Sequence, residues 1–225
     1  MADACQHVAS LKDMSQHPFP PSRRGSFAEV DVNRLVSPLA AVALLAAATT
    51  AAAAPSSDGR DAFGIAMGAP IGKIAGARAF KPGWYRLAAP PRPDPRFDKV
   101  AVEAFARTGV CVVQAVGAEI TDDPTGAKIR AAMDRLADDF SATYGQPQKL
   151  DLCKGGPCVP DLWGEDLQTG ERRYGYRWTM HDAPAKGVRE VSIVAVAHSV
   201  SRFVYLAQFD SGALTACAAG EGAAR

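Results

Sequence analysis

An uncharged apolar run, Leu35–Ala54 (LVSPLAAVALLAAATTAAAA), divides the chain and decides which part of it has to fold. Asn33 and Arg34 precede the run, and Ala-rich small residues end it. A basic start, a short apolar stretch and an A-x-A site make a secretory signal. Cleavage is expected after Ala53, which avoids Pro55 at the first mature position. The alternative is an uncleaved membrane span, for which roughly 20 residues suffice. The run is mostly Ala and Thr, which gain little from leaving water, so the cleaved signal is the reading adopted.

This divides the chain into a leader (Met1–Asp31), a signal peptide (Val32–Ala53) and one exported domain (Ala54–Arg225). The leader has Pro18, Pro20, Pro21, Arg23 and Arg24 and no apolar periodicity. Either translation starts at Val32 and the leader is spurious, or it is a disordered extension. The leader and signal together carry four basic and four acidic residues, so the formal net charge of +1 is unchanged by their removal. Nothing in that balance points to nucleic acid. The expected location is the bacterial periplasm or the exterior.

Export makes the cysteines informative. Cys5 lies in the leader, which leaves Cys111, Cys153, Cys158 and Cys217. An even number in an oxidising compartment implies two disulfides, with three possible connectivities. The glycine-containing loop Cys153–Cys158 closes easily on itself, leaving Cys111 for Cys217. A zinc or redox site at Cys153 and Cys158 is the competing reading. Its four intervening residues do not match a redox C-x-x-C.

The remaining pattern is α+β. A short strand is expected at Ala62–Ala66, a short helix at Pro70–Ala75 and a strand at Trp84–Ala88. The prolines from Pro90 to Pro95 read as a stiff linker. Lys99–Phe105 and Val110–Val116 form a hairpin, being β-branched runs bounded by a glycine turn. Asp123 is the expected N-cap of a long helix, with Pro124 in its first turn. Ile129, Met133, Leu136, Phe140 and Tyr144 lie along one face of that helix, and Gly145 ends it. Leu150–Thr169 reads as loop, followed by strands at Arg172–Met180, Val188–His198 and Phe203–Phe209. The fold class is therefore an antiparallel sheet of about six strands in two meanders, with one long and one short helix on one face. This order, a possible tandem α-β-β-β, resembles the tandem helix-plus-sheet layout of β-lactamase inhibitor proteins and the half-unit of small outer-membrane assembly lipoproteins. A likeness of layout implies no function.

Chemistry is sparsely marked. The exported part has two histidines, His181 and His198. A mixed metal site of Cys158, His181 and Asp182 has no supporting spacing. There is no nucleophile elbow and no phosphate-binding glycine loop that opens a helix. No catalytic set, metal or cofactor is expected. The unusual stretch is Arg172–Trp178, where alternation puts Tyr174, Tyr176 and Trp178 on one face and Arg173, Gly175 and Arg177 on the other. These six residues form the candidate binding face, with Gly175 exposing backbone to a partner. The alternative is that the aromatic side is core. The expected role is binding of a protein or envelope partner through a sheet face. An envelope enzyme using Cys158 or His198, and a purely structural envelope module, are the other two classes.

Overall fold

The computed structural model describes residues 61–182, 187–215 and 217. The leader, the signal segment and the expected mature start lie outside these residues. All described residues fall within one compact unit, 53–225.

The sheet is built from two four-stranded meanders. The first contains β3 (Ala77–Lys81), β4 (Trp84–Leu87), β5 (Phe97–Phe105) and β6 (Gly109–Gly117). The second contains β7 (Gln148–Cys153), β8 (Arg172–Thr179), β9 (Val188–Ser199) and β10 (Arg202–Ser211). They join through their last strands, giving the order β3-β4-β5-β6-β10-β9-β8-β7, antiparallel at every step. A separate hairpin pairs β1 (Asp61–Ala62) with β2 (Ile65–Ala66). The helices are α1 (Ala127–Tyr144) and α2 (Trp163–Thr169), with a 3-10 turn at Ile71–Lys73.

The fold is thus α+β, with more strands than the expected six. The residues expected as one strand, Ala62–Ala66, reverse at Phe63 and Gly64, whose φ values are +56° and +77°. Two successive left-handed residues make the tight turn that suits a hairpin. Strands β3 and β7 escape the sequence reading because each is an edge strand, and neither contains a Val, Ile or Thr to mark it. The expected loop 150–169 contains both the end of β7 and α2. The expected helix at Pro70–Ala75 is only a 3-10 turn.

Helix α1 follows its apolar stripe. Ile129, Met133 and Leu136 are buried, while Phe140 and Tyr144 are only partly covered. Asp123 caps it from further back than expected. The helix starts at Ala127, and the buried Asp123 carboxylate accepts from the backbone N–H groups of Lys128 (3.1 Å) and Ile129 (2.9 Å). These are two of the donors that a helix start leaves unpaired. The shift has a local cause. Gly126 precedes the helix at φ +68°, and the indole of Trp163 lies where a Cβ would sit, 2.0 Å from it. Only glycine combines that backbone conformation with that contact.

Helices α1 and α2 pack on the same sheet face. The Tyr174 and Tyr176 hydroxyls donate to Asp134 of α1, and the Trp178 indole N–H donates to the carbonyl of Gly145. Trp163 of α2 packs edge-on against Tyr174 and Phe203. The β1–β2 hairpin sends Phe63 against Phe97 and Phe209 on that face too. Among the described residues, no helix is long and apolar enough to cross a membrane.

Candidate functional site

The two disulfides join Cys111 to Cys217 and Cys153 to Cys158, with Cα separations of 6.3 and 5.3 Å. The first fastens the segment after β10 to the middle of the sheet. The second closes the loop after β7. Asp151, Cys153 and Cys158 bring ligand-type atoms within 4.8 Å of one another. They do not amount to an open metal set, because the two sulfurs are bonded to each other. The Asp151 carboxylate also accepts two hydrogen bonds from Arg172, at 2.7 and 2.8 Å. Arg172 is buried and Asp151 is not, so the pair anchors the edge strand β7 to β8. His181 and Asp182 are exposed in the β8–β9 connection and do not join the Asp151 group.

His198 sits on β9 with its Nδ1 2.8 Å from Glu119, whose other oxygen accepts from Arg202 at 2.7 Å. Arg202 and His198 together hold the Glu119 carboxyl below its ordinary range. The arrangement is an ion-pair cluster at the β9–β10 turn. Cys158, the other residue of the enzyme reading, has no thiol in the oxidised protein.

Strand β8 divides as its alternation predicts, but only one side is surface. Tyr174, Tyr176 and Trp178 are buried, at 3%, 6% and 1% exposure, beneath α1 and α2. They belong to the core and leave the candidate binding face. Asp134 shows why they are fixed there. Burial pulls its carboxyl upward, but the Tyr176 and Tyr174 hydroxyls and Lys149 outweigh that, and its pKa lies below the usual range. Tyr176 is pushed up, first by burial and then by the Asp134 hydrogen bond. The Lys149 ammonium also lies over both tyrosine rings, 5.4 and 5.2 Å from their centroids.

Gly175 does not expose backbone. It is buried, and an added Cβ would meet the carbonyl oxygen of Ile193 at 2.3 Å. Its missing side chain lets β9 approach β8.

Arg173 and Arg177 are exposed on the face opposite α1 and α2. Cross-strand pairing sets Leu152 beside Arg173, and both Gln148 and Ser192 beside Arg177. Leu152 is 56% exposed, unusual for leucine. Arg177 pairs with Glu190, whereas Arg173 has no ion-pair partner among the described residues. The β7 edge beside them is a row of backbone groups with no neighbouring strand among the described residues.

The centre of the same face contains a hydrogen-bonded chain that the sequence did not reveal. The Gln114 amide donates to the Gln208 carbonyl oxygen at 2.8 Å, and the Gln208 amide donates to both Asp210 oxygens at 2.9 and 3.1 Å. Gln114 and Asp210 are buried. Burial pushes the Asp210 carboxyl up to about 7; Glu190 and Glu103 add to the rise, while Gln208 and Arg177 oppose it. Gln114 and Gln208 lie 94 residues apart and meet only because β6 pairs with β10.

No family model, no curated protein and no solved structure matches the chain.

Proposed function

We propose that the protein is an exported, periplasmic binding protein that holds a protein or envelope partner at the β7–β8 end of the sheet face opposite α1 and α2. The observation that carries this reading is the exposed Arg173 beside the exposed Leu152 at an open sheet edge. Arginine next to an apolar contact is the composition found at binding hot spots. An unpaired edge offers main-chain hydrogen bonds that a partner strand can complete. Arg177 and Gln148 extend the surface, and the cation of Arg173 suits an acidic group on the partner. The two disulfides support export, since such bonds persist in oxidising compartments.

Charge reversal separates recognition from folding. Arg173→Glu combined with Arg177→Glu breaks one exposed ion pair and sets a like charge beside Glu190, together worth about 1 kcal/mol. The melting temperature is expected to stay within about 3 °C of the parent, since 1 kcal/mol shifts a domain of this size by roughly 2–4 °C. Recovery of the partner by crosslinking in living cells is expected to fall by roughly tenfold or more. An unchanged crosslinked set at unchanged yield would remove the reading.

A further inference from the structure

A second concave surface lies on the helix-bearing side, away from Arg173 and separate from the function proposed above. The C-terminal half of α1, the β1–β2 hairpin and the segment Arg92–Arg96 border an open cleft of about 660 Å³. That is the volume of a small-molecule site. Four rings line it: Phe63, Phe140, Tyr144 and Phe209. Phe209 is their hub, with centroids 5.7 Å from both Phe63 and Phe140 and 6.3 Å from Tyr144. Phe140 and Tyr144 are the end of the α1 stripe, which the sheet covers only in part.

Phe63 is one of two non-glycine residues at positive φ among the described residues. A bulky side chain in that region is an outlier that the surrounding structure must enforce, and such outliers gather at functional sites. The opposite wall contains Pro93 and Pro95, whose rings fix the backbone. The cleft is therefore preorganised, which lowers the cost of binding.

Three carboxylates, Asp61, Asp94 and Asp139, face two guanidinium groups, Arg92 and Arg96. Asp94 is saturated by Arg96: it accepts from Nε at 3.0 and 3.1 Å, from Nη2 at 2.6 Å and from the backbone N–H at 2.9 Å. Arg92 is bonded to Asp61. Asp139 takes one bond from Arg96 through Oδ2 and is 65% exposed. Its Oδ1 makes no hydrogen bond among the described residues. The rim thus holds one negative charge in excess. The Tyr144 hydroxyl likewise makes no hydrogen bond among the described residues. Burial, with Asp61 adding, pushes it up to about 12, so it stays a neutral phenol.

Aromatic walls under an acidic rim attract organic cations, through the ring faces and through charge. We propose that this cleft binds a small amphipathic organic cation, its apolar body against Phe63, Phe140, Tyr144 and Phe209 and its ammonium group at Asp139. Anions are disfavoured, because both arginines are already engaged by carboxylates.

Three matched probes test this on the full, oxidised protein: phenylbutylammonium, the neutral phenylbutanol and the anionic phenylbutanoate. Calorimetric titration should show the ammonium probe binding roughly tenfold more tightly than the alcohol, with the carboxylate weakest. Amide shift changes should map to residues 61–63 and 139–144. Asp139→Asn, at an exposed position, should bring the ammonium affinity down to that of the alcohol, with an unchanged melting temperature showing that the fold is kept. Equal affinity for all three probes, no binding at millimolar concentration, a preference that survives Asp139→Asn, or shift changes elsewhere would each overturn the proposal.

Discussion

Replacing Cys111 and Cys217 with alanine is expected to lower the unfolding free energy by about 5 kcal/mol, the largest effect of any change considered. The two cysteines are 106 residues apart, and the bond restricts the unfolded chain in proportion to the logarithm of that loop. Cys153 and Cys158 are separated by only 5 positions, so the same relation gives about 2 kcal/mol for their replacement. Both Cys111 and Cys217 are also fully buried, so truncation removes apolar contacts as well. A domain of this size has only about 5–15 kcal/mol in total. Urea denaturation of the two double variants should therefore give midpoints in the order parent, Cys153/Cys158 variant, Cys111/Cys217 variant. The reverse order of the two variants would contradict the role of the long-range bond as the clamp on the segment after β10.

Asp210→Asn is expected to stabilise the protein at pH 8, by on the order of 4 kcal/mol, and to have little effect at pH 4.5. The sign follows from the direction of the shift. In the fold the Asp210 carboxyl is raised to about 7 from an ordinary 3.8, because burial and the nearby Glu190 and Glu103 disfavour its charge. Between those two values the folded protein binds more protons than the unfolded chain, so stability falls as pH rises. Below pH 4 both states are protonated and the penalty vanishes; above pH 7 it is fully present. Arg177 and Gln208 offset only part of it. Asparagine removes the charge and keeps an acceptor for Gln208. The parent should thus gain stability from pH 8 to pH 5, and the variant should show a nearly flat profile across the same window. Asp94, Asp134 and Glu119, whose pKa values are lowered, act in the opposite sense at lower pH. A parent stability that is constant or rises from pH 5 to pH 8 would contradict the burial of a strained carboxyl at this position.

What the sequence made legible was whatever depends on near neighbours. The stripe from Ile129 to Tyr144 is a local repeat, and α1 forms on it. Val100 to Val116 alternates around a glycine turn, and β5 pairs with β6. Edge strands are harder: β7 (QKLDLC) has little to bury, and its burial pattern is largely exposed, so it lacks the apolar alternation that marks a strand. Helix α2 has only seven residues and opens Trp-Gly, which reads as loop. The alternation in β8 was visible, but not which side would face the helices. Long-range pairing hid the rest. Gln114, Gln208 and Asp210 become one hydrogen-bonded chain only when two distant strands meet. The cleft is assembled from the hairpin, the proline segment, α1 and β10. The stretch Pro90–Pro95, read as a linker, turns out to be a wall whose charged ends are tied to Asp61 and Asp139.

One sheet face is covered by α1 and α2, the partner is proposed to bind at the β7–β8 end of the other, and site-specific photocrosslinking in living cells tests that division most directly. A photoreactive amino acid replaces Leu152 or Thr179 on the face opposite α1 and α2, or Asp138 on the exposed side of α1; all three positions are exposed. A shared crosslinked partner is expected from Leu152 and Thr179, and none from Asp138. The same partner captured from Asp138 at equal or greater yield would contradict that division.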